Sequence, residues 1–112
     1  MISKQNAEHY IWGNNCDGWR LVNEEGRSII HEKMPPDTSE ARHFHQYSKQ
    51  FFFVLSGTMV FELDGVEHIL NQQEGIEVPP TVPHQAMNQS DKDLEFLVIS
   101  QPNTQNDRVL TE

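Results

Sequence analysis

The sequence predicts an all-β chain folded as one barrel or sandwich. Three observations carry this. Apolar residues sit in short runs that read as strands. Turn dipeptides stand between the runs at Ser56-Gly57 and Asp64-Gly65, and such pairs are hairpin signals. No segment keeps a helical period for more than a turn or two. With 112 residues the chain suffices for one small domain and not for two.

In order, residues 1–18 are polar and rich in Asn and Gly, with Tyr10, Ile11 and Trp12 as their apolar cluster. They read as an arm that docks by its aromatics. Trp19 to Asn23 and Arg27 to Met34 read as strands joined by the Gly-bearing turn Glu24-Glu25-Gly26. Pro35-Pro36-Asp37 stops the second, because proline lacks the amide a ladder needs. Residues 42–46 form a short strand, and Gln50 to Leu55 is the strongest strand signal in the chain. Thr58 to Leu63 and Val66 to Leu70 complete a meander. Ile76 to Val78 follows, then the rigid loop Pro79-Pro80-Thr81-Val82-Pro83, then strands at about 85–89 and 94–100. The barrel therefore spans residues 19–101, and residues 102–112 read as a polar tail with frayed ends.

Alternation assigns faces. If Ser56-Gly57 is a two-residue hairpin loop, Val54 pairs with Met59, Phe52 with Phe61 and Gln50 with Leu63. One face then carries Gln50, Phe52, Val54, Met59, Phe61 and Leu63. Gln50 is the one polar member, and an unpaired buried amide costs about 1–3 kcal/mol. The face is predicted to hold a partner for it. The opposite face, with Phe51, Phe53 and Leu55, is also largely apolar and is predicted to pack on other strands or on a second copy of the chain.

The net charge of −9 and the lack of any Lys/Arg cluster argue against nucleic acid and anionic membrane surfaces. No apolar run approaches the roughly 20 residues of a membrane helix. Cys16 is the lone cysteine, so no intrachain disulfide framework forms, in keeping with a cytoplasmic chain.

Chemistry concentrates at His43-Phe44-His45. Histidines at i and i+2 share one face of a strand. Gln50 follows, and His84 emerges from the proline loop. Imidazoles with a side-chain oxygen suit a divalent transition metal such as Zn, Ni, Fe or Mn. A partner metal would answer the question raised by the Gln50 amide.

This spacing resembles the small single-domain cupins, jelly-roll β-barrels that bind metal. Their first motif runs Gly, five residues, His, one residue, His, three or four residues, Glu, six residues, Gly. Asp37, His43, His45, Gln50 and Gly57 fall on those positions. The second runs Gly, five residues, Pro, one residue, Gly, two residues, His, three residues, Asn. Gln73, Pro79, Thr81, His84 and Asn88 fall there. The resemblance implies a metal held by His43, His45 and His84, with Gln50 in place of the usual glutamate. A Gln donor leaves a divalent site at +2 instead of +1, which sharpens its Lewis acidity and removes one candidate base. Some polyketide-cyclase cupins are similar in having three His and a Gln.

The resemblance implies a small-molecule enzyme using the metal as Lewis acid or oxygen activator: an isomerase, a cyclase or a dioxygenase. The alternative is a non-enzymatic module that binds a sugar-like ligand. A homodimer is expected in either case. Phe52, Met59, Phe61 and Trp19 are candidate pocket residues, with Tyr10 and Trp12 as further aromatics for the cavity mouth. No catalytic residue is identified. His68 is a weak candidate, lying opposite Phe61 if Asp64-Gly65 is a two-residue turn. Glu32 and His31 are others, since one of the two must face inward. Cys16 has no nearby base and reads as an inert thiol.

Overall fold

The runs of alternating residues become twelve strands in the computed structural model, which describes residues 1–112. They are β1 (Glu8–Trp12), β2 (Cys16–Asn23), β3 (Ser28–Met34), β4 (Thr38–Ser39), β5 (His43–Phe44), β6 (Lys49–Ser56), β7 (Met59–Leu63), β8 (Val66–Leu70), β9 (Gly75–Val78), β10 (His84–Asn88), β11 (Leu94–Gln101) and β12 (Val109–Leu110). One sheet has the order β1-β2-β3-β11-β6-β9 and the other β12-β5-β10-β7-β8, with β4 paired to β10. Every pairing is antiparallel. This is the expected all-β jelly roll, and the chain forms no helix that could cross a membrane.

The sheets close on one apolar cluster. Phe52, Val54, Met59, Phe61, Leu94, Phe96 and Met34 are all buried in it. Phe52 packs on Phe61 at 4.8 Å and on Phe96 at 6.0 Å between ring centroids, tying the two sheets together. Each such ring contributes about 1.5–3 kcal/mol by leaving water.

The Ser56-Gly57 hairpin does not form. β6 pairs with β11 and β9 in one sheet, and β7 pairs with β10 and β8 in the other. The chain crosses between sheets at Gly57, whose φ is 89°. A Cβ there would meet the Asp93 carbonyl oxygen at 2.7 Å, so only glycine fits. The face assignment survives. Gln50, Phe52, Val54, Met59 and Phe61 are buried, and Leu63 packs against the same cluster. Alternation follows from the pleat alone, and both strands turn the same set toward one interior. The Asp64-Gly65 turn does have the expected register, with Phe61 opposite His68.

Both ends of the chain are more ordered than the sequence suggests. The arm contains β1, paired to β2 with Tyr10 against Gly18. The tail contains β12, paired to β5 with Leu110 against His43 and Val109 against Phe44. A frayed tail is thus corrected: two ladder pairs and a buried Asp107 hold it down.

The three positions where the motif has glycine and this chain does not keep the glycine-like backbone. Asp37, Gln73 and Thr81 have φ of 59°, 68° and 70°. The Gln73 amide donates to the Val54 carbonyl at 2.8 Å, and the Thr81 amide donates to the His45 carbonyl at 2.6 Å. The second bond ties the loop that delivers His84 to the strand end that delivers His45.

Candidate metal centre

His43 opens β5 and His84 opens β10, and the two are directly paired. His45 lies one residue beyond β5, on the same side as His43. All three are buried, and their candidate ligand atoms lie within 4.8 Å of one another.

Each ring has its Nδ1 committed. His43 Nδ1 donates to the Ala41 carbonyl at 2.7 Å, His84 Nδ1 to the Val82 carbonyl at 3.0 Å, and His45 Nδ1 to the Asp107 carbonyl. A proton on Nδ1 leaves Nε2 with its lone pair free. Nε2 of His45 and of His84 is buried with no hydrogen-bond partner. Burial pushes His43 down to about 3 and His84 down to about 4, and it lowers His45 as well. The imidazoles are therefore neutral at pH 7, the form a metal requires.

Gln50 brings a side-chain oxygen to the cavity that His43 and His45 line. Its Nε2 donates to Ser100 Oγ at 3.0 Å, and its Oε1 is buried without a partner. Three orphaned or free imidazole nitrogens and one orphaned amide oxygen fit a divalent transition metal.

A cavity of about 240 Å³ reaches this cluster. His43, His45, Gln50 and Phe52 line it, together with Ile30, Val98 and Ser100. Tyr10 and Trp12 come from the first strand, and Thr104 and Arg108 from the C-terminal segment. Two carboxyls, Glu32 and Glu40, share the space. Burial raises Glu32 to about 8, with the Glu40 charge adding to the effect. Burial likewise raises Glu40 to about 7, against the Ala86 amide that donates to its Oε2 at 2.8 Å and against Arg108. Tyr10 lies across Gly18, where a Cβ would sit 2.3 Å from the ring. The Arg20 guanidinium covers the Tyr10 ring at 4.2 Å and pairs with Glu8 at 3.0 Å. A larger hollow of about 440 Å³, between Asn23–Glu25 and Pro102–Asn106, has no histidine and no apolar wall.

The sequence candidates sort clearly. His43, His45 and His84 come together, and Gln50, Phe52 and Glu32 line the cavity beside the first two. Phe61 lies behind it, stacked on His84 at 5.8 Å. Met59 is core and does not line the cavity. Trp19 is not a pocket residue: alternation places it on the outer face, 5.3 Å from His9 and 5.4 Å from His31, under Lys4. His31 is on that face too, 2.8 Å from Glu95, so of the pair it is Glu32 that points inward. His68 is on the edge strand β8, partly exposed and away from the cavity. Cys16 is buried, and burial raises its thiol, as an inert cysteine requires. Sequence reasoning missed Glu40, Ser100, Asp107 and Arg108. Ser100 left a signal, as the polar end of the series Leu94, Phe96, Val98. The other three sit in irregular segments with no periodicity to reveal their direction.

Residues 30–100 match a family model described as the cupin domain. Protein SchB of Streptomyces halstedii is 34% identical over 56 residues, which is 50% of this chain and 41% of that protein. The polyketide synthase CurC of Streptomyces cyaneus is 28% identical over 64 residues, 57% of this chain and 42% of that protein. The matches thus span about two fifths of these relatives' length. The structure of the polyketide cyclase RemF from Streptomyces resistomycificus superposes with a TM-score of 0.80 at 18% identity, covering 92% of this chain and 79% of that one. At that identity the likeness shows the fold.

Proposed function

The chain belongs to the cupin family, and on that premise we propose that it is a metal-dependent enzyme using Lewis-acid chemistry on a carbonyl-bearing small molecule, of the cyclase or isomerase kind. The observation that carries this is one cavity lined by His43, His45, Gln50, Glu32 and Glu40: His45 Nε2 and Gln50 Oε1 are buried there without partners, the unpartnered His84 Nε2 belongs to the same histidine cluster, and burial raises both carboxyls. The polyketide relatives support the cyclase side of the reading.

His43, His45 and His84 would hold the metal through Nε2, with Gln50 Oε1 as the neutral fourth donor. A bound divalent metal supplies polarisation of a substrate carbonyl or enediolate oxygen. Glu32 supplies the proton. In the metal-free chain burial raises its carboxyl to about 8, and in its acid form it can donate to an oxygen that gains charge. Glu40 has Oε2 fixed by the Ala86 amide, which leaves Oε1 to accept a proton from an acidic C–H. The base absent from Gln50 is thus replaced by groups standing off the metal. Tyr10, Trp12 and Phe52 offer flat surfaces that exclude water from a planar ligand. The outer face of β6, where Phe51 and Phe53 stack at 6.2 Å, supports a homodimer.

Elemental analysis of untagged, chelator-free protein tests the core of this reading. About one transition metal per chain, lost in His84→Ala, is expected. Cobalt-loaded protein should then change its visible spectrum on addition of acetylacetone, a chelating β-diketone probe. No metal uptake after anaerobic incubation with iron, manganese, nickel and zinc would overturn the proposal. Oxygen uptake by an iron-loaded form would redirect it to a dioxygenase.

A further inference from the structure

The three histidines are not oriented in the same way. His43 and His84 each use the carbonyl two residues upstream, Ala41 and Val82, so their own loops aim them. The His45 acceptor is the Asp107 carbonyl, 62 positions away in sequence. Asp107 also grips the residues that follow His45. Its Oδ1 accepts from the Gln46 amide at 2.7 Å, and its Oδ2 accepts from the Tyr47 and Ser48 amides at 3.0 Å each. Three successive amides turned to one carboxylate make a closed anion nest. Ser48 Oγ then donates to the Pro102 carbonyl at 2.7 Å. Beyond Asp107, β12 pairs with β5, the Thr111 amide donates to the Arg42 carbonyl at 3.0 Å, and Arg42 Nη1 donates to the Glu112 carbonyl at 2.9 Å.

We propose that Asp107 is a positioning residue for the metal centre: it clamps the C-terminal segment onto the His45 loop and aims the His45 ring, so that metal affinity and order in the C-terminal segment rise and fall together. The inference rests on the metal reading above. His45 Nε2 is buried and unpartnered, and its direction is set by what Nδ1 bonds. Without the carboxylate, the 46–48 amides lose their acceptor, and the Asp107 carbonyl is no longer held against the ring. Ligand-orienting partners of this kind are worth about 10- to 100-fold in metal affinity. Because coupling is reciprocal, a bound metal must in turn hold the clamp closed.

The test is zinc affinity by chelator competition in the wild-type chain, Asp107→Asn, Asp107→Glu and Leu94→Val. Leu94 is buried at the far end of β11 from Ser100, so Leu94→Val controls for lost stability alone. Asp107→Asn should weaken zinc about 10- to 100-fold and alter the visible spectrum of the cobalt form. Asp107→Glu, which keeps the charge, should recover part of the affinity, and Leu94→Val should leave it unchanged. Zinc should slow amide exchange at residues 46–48 in the wild type and not in Asp107→Asn. If Asp107→Asn does not fold, Asp107→Glu decides, since wild-type affinity and an unchanged cobalt spectrum there would overturn the clamp. Wild-type affinity in Asp107→Asn overturns this proposal alone. A wild-type chain that binds none of zinc, iron, manganese and nickel overturns the metal reading with it.

Discussion

Gln50 and Ser100 face each other across β6 and β11, and the bond from Gln50 Nε2 to Ser100 Oγ, 3.0 Å long, fixes which end of the amide is left unpaired. The unpaired end is Oε1, buried in the wall of the cavity that His43 and His45 also line. The position is built to offer a neutral oxygen.

Gln50→Glu should therefore tighten zinc. It restores an anionic donor at +2 metal charge, and a gain of about 1.4 kcal/mol is tenfold in affinity. Chelator competition measures it. Equal affinity for the two chains would place Gln50 Oε1 off the metal.

Zinc binding should resist acid. Ordinary histidines lose metal to protons below pH 6.5, but burial holds His43 near 3 and His84 near 4. The apparent zinc affinity should change less than about threefold per pH unit between 7 and 5.5, where normal histidines lose more. The metal-free chain carries the matching liability. These pKa values are depressed relative to the unfolded chain, so the stability they govern is complete above pH 6.5 and is lost as pH falls toward 4 and then 3. Because the buried carboxyls Glu32 and Glu40 work in the opposite direction, the check is the melting-temperature difference between metal-free wild type and metal-free His43→Gln at pH 7 and 5: wild type should lose ground on acidification, and a difference that does not move would contradict this.

Glu32 has the opposite sign. Its folded pKa, about 8, is above the unfolded value, so its contribution is complete below pH 4.5 and is lost as pH rises through 8. Glu32→Gln cannot ionise. In the metal-free state it should match wild type at pH 4.5 and melt higher at pH 9. A parallel pH profile in the two chains would show that Glu32 is not buried as described.

Thr81→Gly should stabilise the fold. Thr81 is exposed, β-branched and at φ 70°. The left-handed region costs an L-residue about 1–2 kcal/mol, and glycine's extra unfolded freedom offsets part of that. A net gain of about 1 kcal/mol would raise the melting temperature by about 4 °C. Asp37→Gly should gain less, because aspartate tolerates that conformation. A drop in melting temperature for Thr81→Gly would mean that the side chain has a role in the His84 loop.

The sequence revealed what repeats with the pleat and what sits on a motif. The inward set from Gln50 to Leu63 and the clustering of His43, His45 and His84 could be read because alternation and spacing are local. Pairing could not. A Ser-Gly dipeptide looks the same whether the next strand folds back alongside or crosses to the opposite sheet, and here the space beside Asp93 decides it. Trp19 was misassigned because its direction depends on which neighbour in β3, His31 or Glu32, faces the interior. Glu40 and Asp107 were invisible for a related reason. Each gains its role from a partner far away in sequence, the Ala86 amide and the loop after His45.

The cavity is built in two parts with different origins. His43, His45, Gln50 and His84 lie within residues 30–100, the span matched to the family, whereas Tyr10, Trp12, Arg20, Thr104 and Arg108 lie outside it. The shared span supplies the histidine cluster and Gln50, and the flanks supply much of the remaining cavity wall. Tyr10, Trp12 and Arg20 contribute cavity wall without touching the His45 loop, whereas Thr104 and Arg108 adjoin Asp107, which holds that loop. The two ends are thus unequal: the N-terminal one shapes the cavity wall alone, while the C-terminal one also reaches the orientation of a histidine at the centre.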